Sequence, residues 1–259
     1  MDFATASRYY EALLAGYLRA APAGTTEEAV DRFVAPVRAA FVRERAAESV
    51  IEGMLWAAWE PVIGAACASD SAQDRLVELL VGIEGRGALT RDQGREESVL
   101  WGDSRVFVDL PMFGAQMREA WDSYAAPPGS PEAWVNLNAF AARLTAVGID
   151  FEVYAIWTLR ACLEEKSSVG PDELRAVVPW FRHCGELLSR LAHRGGSIGE
   201  RDTGPARLGR LCTDTGMDSG GFTVERWEFW RGRLAGLAGG TDAAALEART
   251  ALRYLTTAA

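Results

Sequence analysis

The chain has 259 residues, 49% hydrophobic and 24% charged, a composition typical of a soluble globular protein with a substantial core. Its formal net charge of −9 argues against nucleic-acid binding, because contacts with phosphates require an excess of basic residues. The N-terminus shows no signal for secretion and no stretch reaches the roughly 18 to 20 apolar residues of a membrane span, so we expect a cytoplasmic protein that does not contact a membrane.

The first half of the chain is predicted to form five helices, from apolar residues at helical spacing and from capping signals. They cover about residues 4–20, a segment from Thr25 that Pro36 kinks or divides, 44–68 with an interruption near Pro61, 69–83, and 111–124. Pro111 is expected as the first residue of the fifth helix, announced by Asp109. A charged, mobile loop is expected near residues 85–106.

The second half is predicted to contain five further helices. They begin at Pro131 after the cap Ser130, at the cap Asp150, at Pro171, at the cap Thr223 and near residue 242. Pro179 predicts a kink just before Trp180. A second mobile loop, rich in glycine, is expected near residues 194–221. The only strand pattern is short and covers residues 105–108.

These elements predict an all-α protein, with a single globular multi-helix domain over residues 1–259, about nine or ten helices and no significant sheet. The helix over residues 150–165 is apolar around nearly its whole circumference. Such a helix is expected at the centre of a core, with Tyr154 and Trp157 largely buried.

Arg160 places a charge inside this apolar helix. A buried guanidinium must be paired and hydrogen-bonded. Two interpretations are open. Arg160 either forms a structural ion pair with Glu164 or Asp109, or it clamps an anionic ligand, because the arginine fork matches a carboxylate or phosphate.

Asn136 and Asn138 interrupt the helix that begins at Pro131, and asparagine inside a helix suggests a task for the side chain. They either line a pocket or bond the backbone of a neighbouring loop such as residues 108–112. The chain also has nine Trp, which fits a cavity or an interface, although a large core is the simpler interpretation. The candidate ligand-binding residues are Arg160, Asp109, Asn138, Tyr154, Trp157 and Trp134.

Several chemistries lack the residues they need. The four cysteines are far apart and form no C-x-x-C motif, so we expect reduced thiols. The two histidines, His183 and His193, do not share a helix face, and only His183 is a candidate general base of this type. No acidic magnesium motif or phosphate-binding loop is present. We predict no metal and no cofactor, and we name no catalytic residue.

A series of motifs follows a characteristic order along the chain. They are L-W-A-A-W-E-P-V-I-G-A-A, D-L-P-M-F-G-x-x-x-R-E-A-W, W-x-N-L-N-A-F, Y-A-I-W-T-L-R and G-F-T-V-E-R-W-E-F-W-R-G-R-L. In this order they resemble the fungal domain-of-unknown-function family DUF3632 over nearly the whole chain. The resemblance implies an all-helical protein of unassigned activity. Some members of that family are encoded among genes for secondary metabolites, which favours an accessory protein of biosynthesis.

We interpret the chain as a small-molecule-binding accessory protein of specialised metabolism, with an aromatic-lined pocket for a small organic ligand. Two alternatives remain open. One is a homodimeric scaffold whose Trp-rich surfaces meet protein, and the other is a metal-independent enzyme that uses Arg160, Asp109 and Tyr154. A cavity with convergent polar groups would favour the binding protein or the enzyme, whereas a flat apolar patch would favour the scaffold.

Overall fold

The structure is a computed structural model that describes residues 1–20, 25–91, 96–97, 99–100, 104–125, 130–194 and 204–257. Over these residues the chain is mainly helical, which confirms the all-α prediction. The helices are α1 (Phe3–Arg19), α2 (Thr25–Arg38), α3 (Glu48–Ala68), α4 (Gln73–Glu84), α5 (Phe113–Ala125), α6 (Pro131–Ala146), α7 (Glu152–Leu159), α8 (Pro171–Arg194), α9 (Arg210–Thr213), α10 (Val224–Ala238) and α11 (Ala243–Thr257). Ten of them match predicted helices, and the eleventh is the short α9.

Four strands of two residues each form two antiparallel pairs. They are β1 (Thr90–Arg91), β2 (Glu96–Glu97), β3 (Val99–Leu100) and β4 (Ser104–Arg105), with β1 paired to β2 and β3 to β4. The strand predicted at residues 105–108 is therefore shorter and starts earlier, because the chain turns at Val106. Both predicted loops extend outside the described residues, at 92–95, 98, 101–103 and 195–203, and their mobility stays a prediction.

The chain divides into two compact units, Met1–Ala133 and Trp134–Ala259. A single domain over the whole chain stays a prediction. In the first unit, an aromatic row joins four helices. The ring of Phe33 lies 4.9 Å from that of Tyr10 and 5.1 Å from that of Trp59, which in turn lies 5.4 Å from Phe113. This row is buried and forms the centre of the unit.

Helix α3 runs without interruption through Pro61, which corrects the predicted break. Among the described helices α3 is long and apolar enough to cross a membrane by length and composition alone, although no stretch of that length was expected from the sequence. Of its most apolar stretch, 56% is buried inside the structure, as for a core helix. Its residues Leu55, Trp59 and Val62 are fully buried.

Helix α5 begins at Phe113, two residues after the predicted start at Pro111. The preceding turn contains three non-glycine residues with left-handed backbone, Phe107 (φ 72°), Leu110 (φ 44°) and Met112 (φ 69°). This conformation is strained for side chains of that size. The strain is offset by burial of all three side chains and by a 2.9 Å hydrogen bond from Trp59 Nε1 to the carbonyl of Pro111.

The second unit has α8 packed against α11 and α10 against both. Helix α7 lies in its core, where Ala155, Ile156 and Leu159 are fully buried. A π-helical turn, Arg160–Glu164, continues α7, so the predicted helix over 150–165 is present but changes its hydrogen-bonding pattern at Arg160. The predicted caps Ser130 and Thr223 each accept a backbone N–H at the start of α6 and α10.

The break in α8 lies at Cys184 and not just before Trp180 as predicted. Cys184 has φ −134° and ψ 21°, outside the helical range, whereas Pro179 lies inside the helix. The thiol of Cys184 donates to the carbonyl of Trp180 at 3.2 Å. In this irregular turn, a side chain therefore supplies a hydrogen bond to the carbonyl one turn earlier.

Candidate functional site

Arg160 is the first predicted site residue, and the structure corrects its expected partner. Its side chain is 17% exposed, and the nearest carboxylate is Glu165, with Nε 3.8 Å from Oε1. Nη1 donates to the carbonyl of Pro205 at 3.2 Å. Burial lowers the pKa of Arg160, and Arg207 nearby lowers it further. Glu164 was the expected partner by sequence proximity, but it binds a different arginine.

Trp157 and Tyr154 occupy the same face of α7. The indole of Trp157 donates to the carbonyl of Pro205 at 2.9 Å, the same oxygen that Arg160 contacts. The ring of Tyr154 lies 4.7 Å from that of Trp157, and Tyr154 is only 7% exposed. Trp157 and Arg160 were expected to donate hydrogen bonds to a ligand, but they donate to the backbone of the chain itself.

Asn138 is fully buried and joins three elements. Its Oδ1 accepts hydrogen bonds from Thr158 Oγ1 at 2.6 Å and from Trp180 Nε1 at 2.8 Å. Its Nδ2 donates to the carbonyl of Trp134 at 2.9 Å. The expected bond to a loop backbone is thus replaced by bonds among α6, α7 and α8, and the amide has a structural role.

Asp109 lies in the first unit and binds Arg105. Its carboxylate accepts from the backbone N–H of Arg105 at 2.6 Å and from Nε and Nη2 at 3.1 and 3.0 Å. These hydrogen bonds hold the pKa of Asp109 below its usual range. Asp109 therefore closes the strained turn before α5 instead of capping that helix.

The strongest polar network was missed in the sequence. Glu164 and Arg226 are both fully buried and form a two-pronged salt bridge, with Nε 2.7 Å from Oε1 and Nη2 3.0 Å from Oε2. Glu164 also accepts from Trp230 Nε1 and from the backbone N–H of Gly209, both at 2.6 Å. A signal was present, because Arg226 and Trp230 are one helical turn apart in α10.

Arg226 also holds the 204–222 segment, by which we mean the described residues that precede α10. Its remaining donors bind the carbonyls of Ala206, Gly221 and Arg207 at 2.9–3.0 Å. All five N–H groups of the guanidinium are thereby used. The network is saturated, so its role is to fix this segment and not to bind a ligand.

The α3–α5 groove, in the first unit, is a cavity of about 290 Å³ between these two helices. Its walls combine aromatic rings, carboxylates and one buried amide. The residues that line it include Trp56, Glu60, Gly64, Gln116, Glu119 and Tyr124. Gln116 ties the helices together, because its Nε2 donates to the carbonyl of Trp56 at 2.6 Å.

The α8–α11 groove, in the second unit, is a cavity of about 300 Å³ at the break in α8. It contains His183, the residue considered as a general base, together with Arg182, Arg190 and Tyr254. Glu186 also lines it and lies 3.7 Å from Arg190. Charges of both signs are present, so this groove does not select one class of ligand.

The cysteines do not provide a nucleophile. All four are buried and none forms a disulfide: Cys67, Cys162, Cys184 and Cys212. Burial raises the pKa of Cys67 and of Cys162 to about 12, and it also raises the pKa of the other two. A thiol that stays protonated reacts slowly. Among the described residues no group of three or more His, Cys, Asp or Glu side chains is placed to hold a metal ion.

A family model described as a protein of unknown function, DUF3632, matches residues 59–234. The chain belongs to the DUF3632 family. No curated protein and no solved structure matches the chain. The DUF3632 match spans Glu164, Arg226 and Trp230, and it includes most of the α3–α5 groove, from Glu60 to Tyr124.

Proposed function

We propose that this DUF3632 protein binds a small organic molecule in the α3–α5 groove, as a cytoplasmic accessory protein of specialised metabolism in a fungus. The observation that carries the proposal is the combination of aromatic walls and convergent polar groups in one cavity of about 290 Å³. Ligand sites are typically concave and apolar with a few placed polar groups, and the smallest hold about 300 Å³. The link to specialised metabolism rests on the resemblance to fungal relatives.

The scaffold alternative has less support. A protein-interaction surface usually presents a contiguous apolar patch. The large hydrophobic residues that are exposed in the described part of the chain lie in or beside several helices of both units. They are Met1, Phe3, Val42, Val50, Val81, Val147, Val224 and Leu246. The groove therefore supports ligand binding better than these residues support a docking face.

Gly64 allows the groove to be filled without disturbing the fold. It lies in the interior of α3, lines the groove, and has open space where a side chain would begin. Gly53 lies in the same helix with equally open space but does not line the groove. Leucine at either position favours the helix by up to about 1 kcal/mol relative to glycine.

A fragment screen by ligand-observed NMR tests the proposal with three proteins: the wild type, Gly64→Leu and Gly53→Leu. We expect fragments that bind the wild type and Gly53→Leu but not Gly64→Leu, while both variants melt at or above the wild-type temperature. Fragments that bind all three proteins equally, or no bound fragment at all, would contradict the proposed site.

A further inference from the structure

We infer that the ligand of the α3–α5 groove is a protonated primary or secondary amine with an apolar, preferably aromatic, body. This inference rests on the proposed function and names its ligand class. Three features of the groove lead to it: acceptor oxygens on its wall, an excess of negative charge and two aromatic walls.

One acceptor is the amide oxygen of Gln116. The side chain is only 7% exposed, and its Nε2 donates to the carbonyl of Trp56 at 2.6 Å, which fixes the orientation of the amide. Oε1 is then the acceptor that remains on the groove wall. An amide oxygen has two lone pairs, so it can accept a hydrogen bond from a ligand in the groove.

Ser123 adds a second acceptor. Its hydroxyl donates to the carbonyl of Glu119 at 2.8 Å, which leaves the lone pairs of the oxygen available on the groove wall. An ammonium group carries two or three N–H donors and no acceptor. It therefore matches a wall that offers acceptors.

Glu60 and Glu119 give the groove its charge. Among the described residues that line it, these are the only charged side chains, and no base in the described part of the chain forms an ion pair with either. The neighbouring base on α5, Arg118, is bonded to Asp122 at 2.8 Å. The Cys67 thiol also lines the groove and adds no negative charge, because burial raises its pKa to about 12. The groove therefore attracts a cation and repels a carboxylate or phosphate.

Trp56 and Tyr124 supply the aromatic walls, and both are half-buried. The face of an aromatic ring attracts a cation within about 6 Å of its centre and also packs against an apolar body. Either ring can contact the cation while the other packs against the apolar body. An aryl-alkyl ammonium ion combines the two chemical features in one molecule.

Isothermal titration calorimetry with phenethylammonium and its neutral analogue 2-phenylethanol tests the inference. The wild type should bind the ammonium ion more tightly than the alcohol. Glu60→Gln combined with Glu119→Gln should weaken ammonium binding roughly fivefold, as expected for two partly exposed ion pairs, and leave the alcohol unaffected. Glu52→Gln, on α3 but not lining the groove, should change neither affinity.

The outcomes separate the inference from the proposed function. If the alcohol binds as tightly as the ammonium ion in the wild type, or if the double variant retains full ammonium affinity, the amine class is wrong while the groove remains a site. If neither compound binds and no fragment shows dependence on Gly64, the proposed function itself has failed. Melting temperatures of the variants check that the Glu→Gln changes leave the fold intact.

Discussion

At the residue scale, the pairing of charges follows burial and not sequence distance. Glu164 is one turn from Arg160 but binds Arg226, which is 62 residues away. A fully buried carboxylate needs a partner that satisfies both of its oxygens in a water-free site. Arg226 does so with two hydrogen bonds, whereas Arg160 lies at the edge of the unit, where backbone carbonyls and Glu165 suffice.

Arg226→Met should lower the free energy of unfolding by about 3–5 kcal/mol, because it strands the buried charge of Glu164. Arg160→Met is the matched control on a half-buried arginine and should cost about 1 kcal/mol, the value of its bond to Pro205. Urea unfolding followed by circular dichroism measures both. Equal losses for the two variants would refute the central role of Arg226.

Asp109 and Arg105 predict a pH dependence at the same scale. Because hydrogen bonds from Arg105 lower the pKa of Asp109 from its ordinary value of 3.8, the folded state favours the ionised carboxylate. This contribution is present above that value and is lost as pH falls through the lowered pKa of the folded state. Both side chains are more than a third exposed, so solvent screening keeps the contribution small.

Asp109→Asn should therefore destabilise the protein slightly at pH 7, and the difference from the wild type should shrink below about pH 4 as the wild-type carboxylate becomes protonated. Thermal unfolding of both proteins across this range provides the measurement. A difference that grows with acidity would show that the ionised form is not the one that the fold stabilises.

At the element scale, irregular backbone determines where the useful side chains lie. The turn from Phe107 to Met112 carries strain of about 1–3 kcal/mol at each left-handed residue, and burial with the bond from Trp59 keeps it in place. The turn delays the start of α5 to Phe113 and so determines which residues of α5 face α3. Gln116 on that face then reaches the carbonyl of Trp56.

The 204–222 segment lies against the π-helical turn that follows α7, and Gly209 is the point of closest approach. A Cβ atom there would lie 2.5 Å from Cβ of Glu164 and 3.0 Å from its backbone carbon. The backbone of Gly209 is extended, with φ −86°, so any residue could adopt it. The requirement for glycine at this position is therefore steric.

Gly209→Ala should destabilise the protein by about 1–3 kcal/mol, since the helix backbone cannot easily yield. Gly232→Ala, in the open interior of α10, should instead stabilise it by about 1 kcal/mol. Denaturant titration gives both values, and limited proteolysis reports release of the 204–222 segment. An alanine tolerated at residue 209 would mean that the segment is not held tightly against Glu164.

At the scale of the whole molecule, each compact unit has its own aromatic core and its own groove. The row from Tyr10 to Phe113 organises the first unit, and Trp180, Trp227 and Trp230 are buried in the second. Most of the Trp residues that suggested a cavity are thus core residues, as the simpler interpretation held. Trp56, only half-buried, lines the groove instead.

The sequence alone determined the helices, because each depends on signals within a few residues: apolar spacing, Ser130 and Thr223 as caps, and Pro131 and Pro171 as first residues. It also showed that α7 is central, since an apolar circumference has no other stable position. Its errors came where backbone geometry overrides local preference, as at Pro61, Pro111 and Cys184.

Only the tertiary structure decided which polar groups meet. Gln116 and the carbonyl of Trp56 are 60 residues apart, and Trp230 and Glu164 are 66 residues apart. Helical periodicity places a side chain on a face but does not say which face lies opposite. Charged and polar partners across such distances are selected by packing, because desolvation makes an unpaired buried group costly and only the folded chain brings the partner within reach.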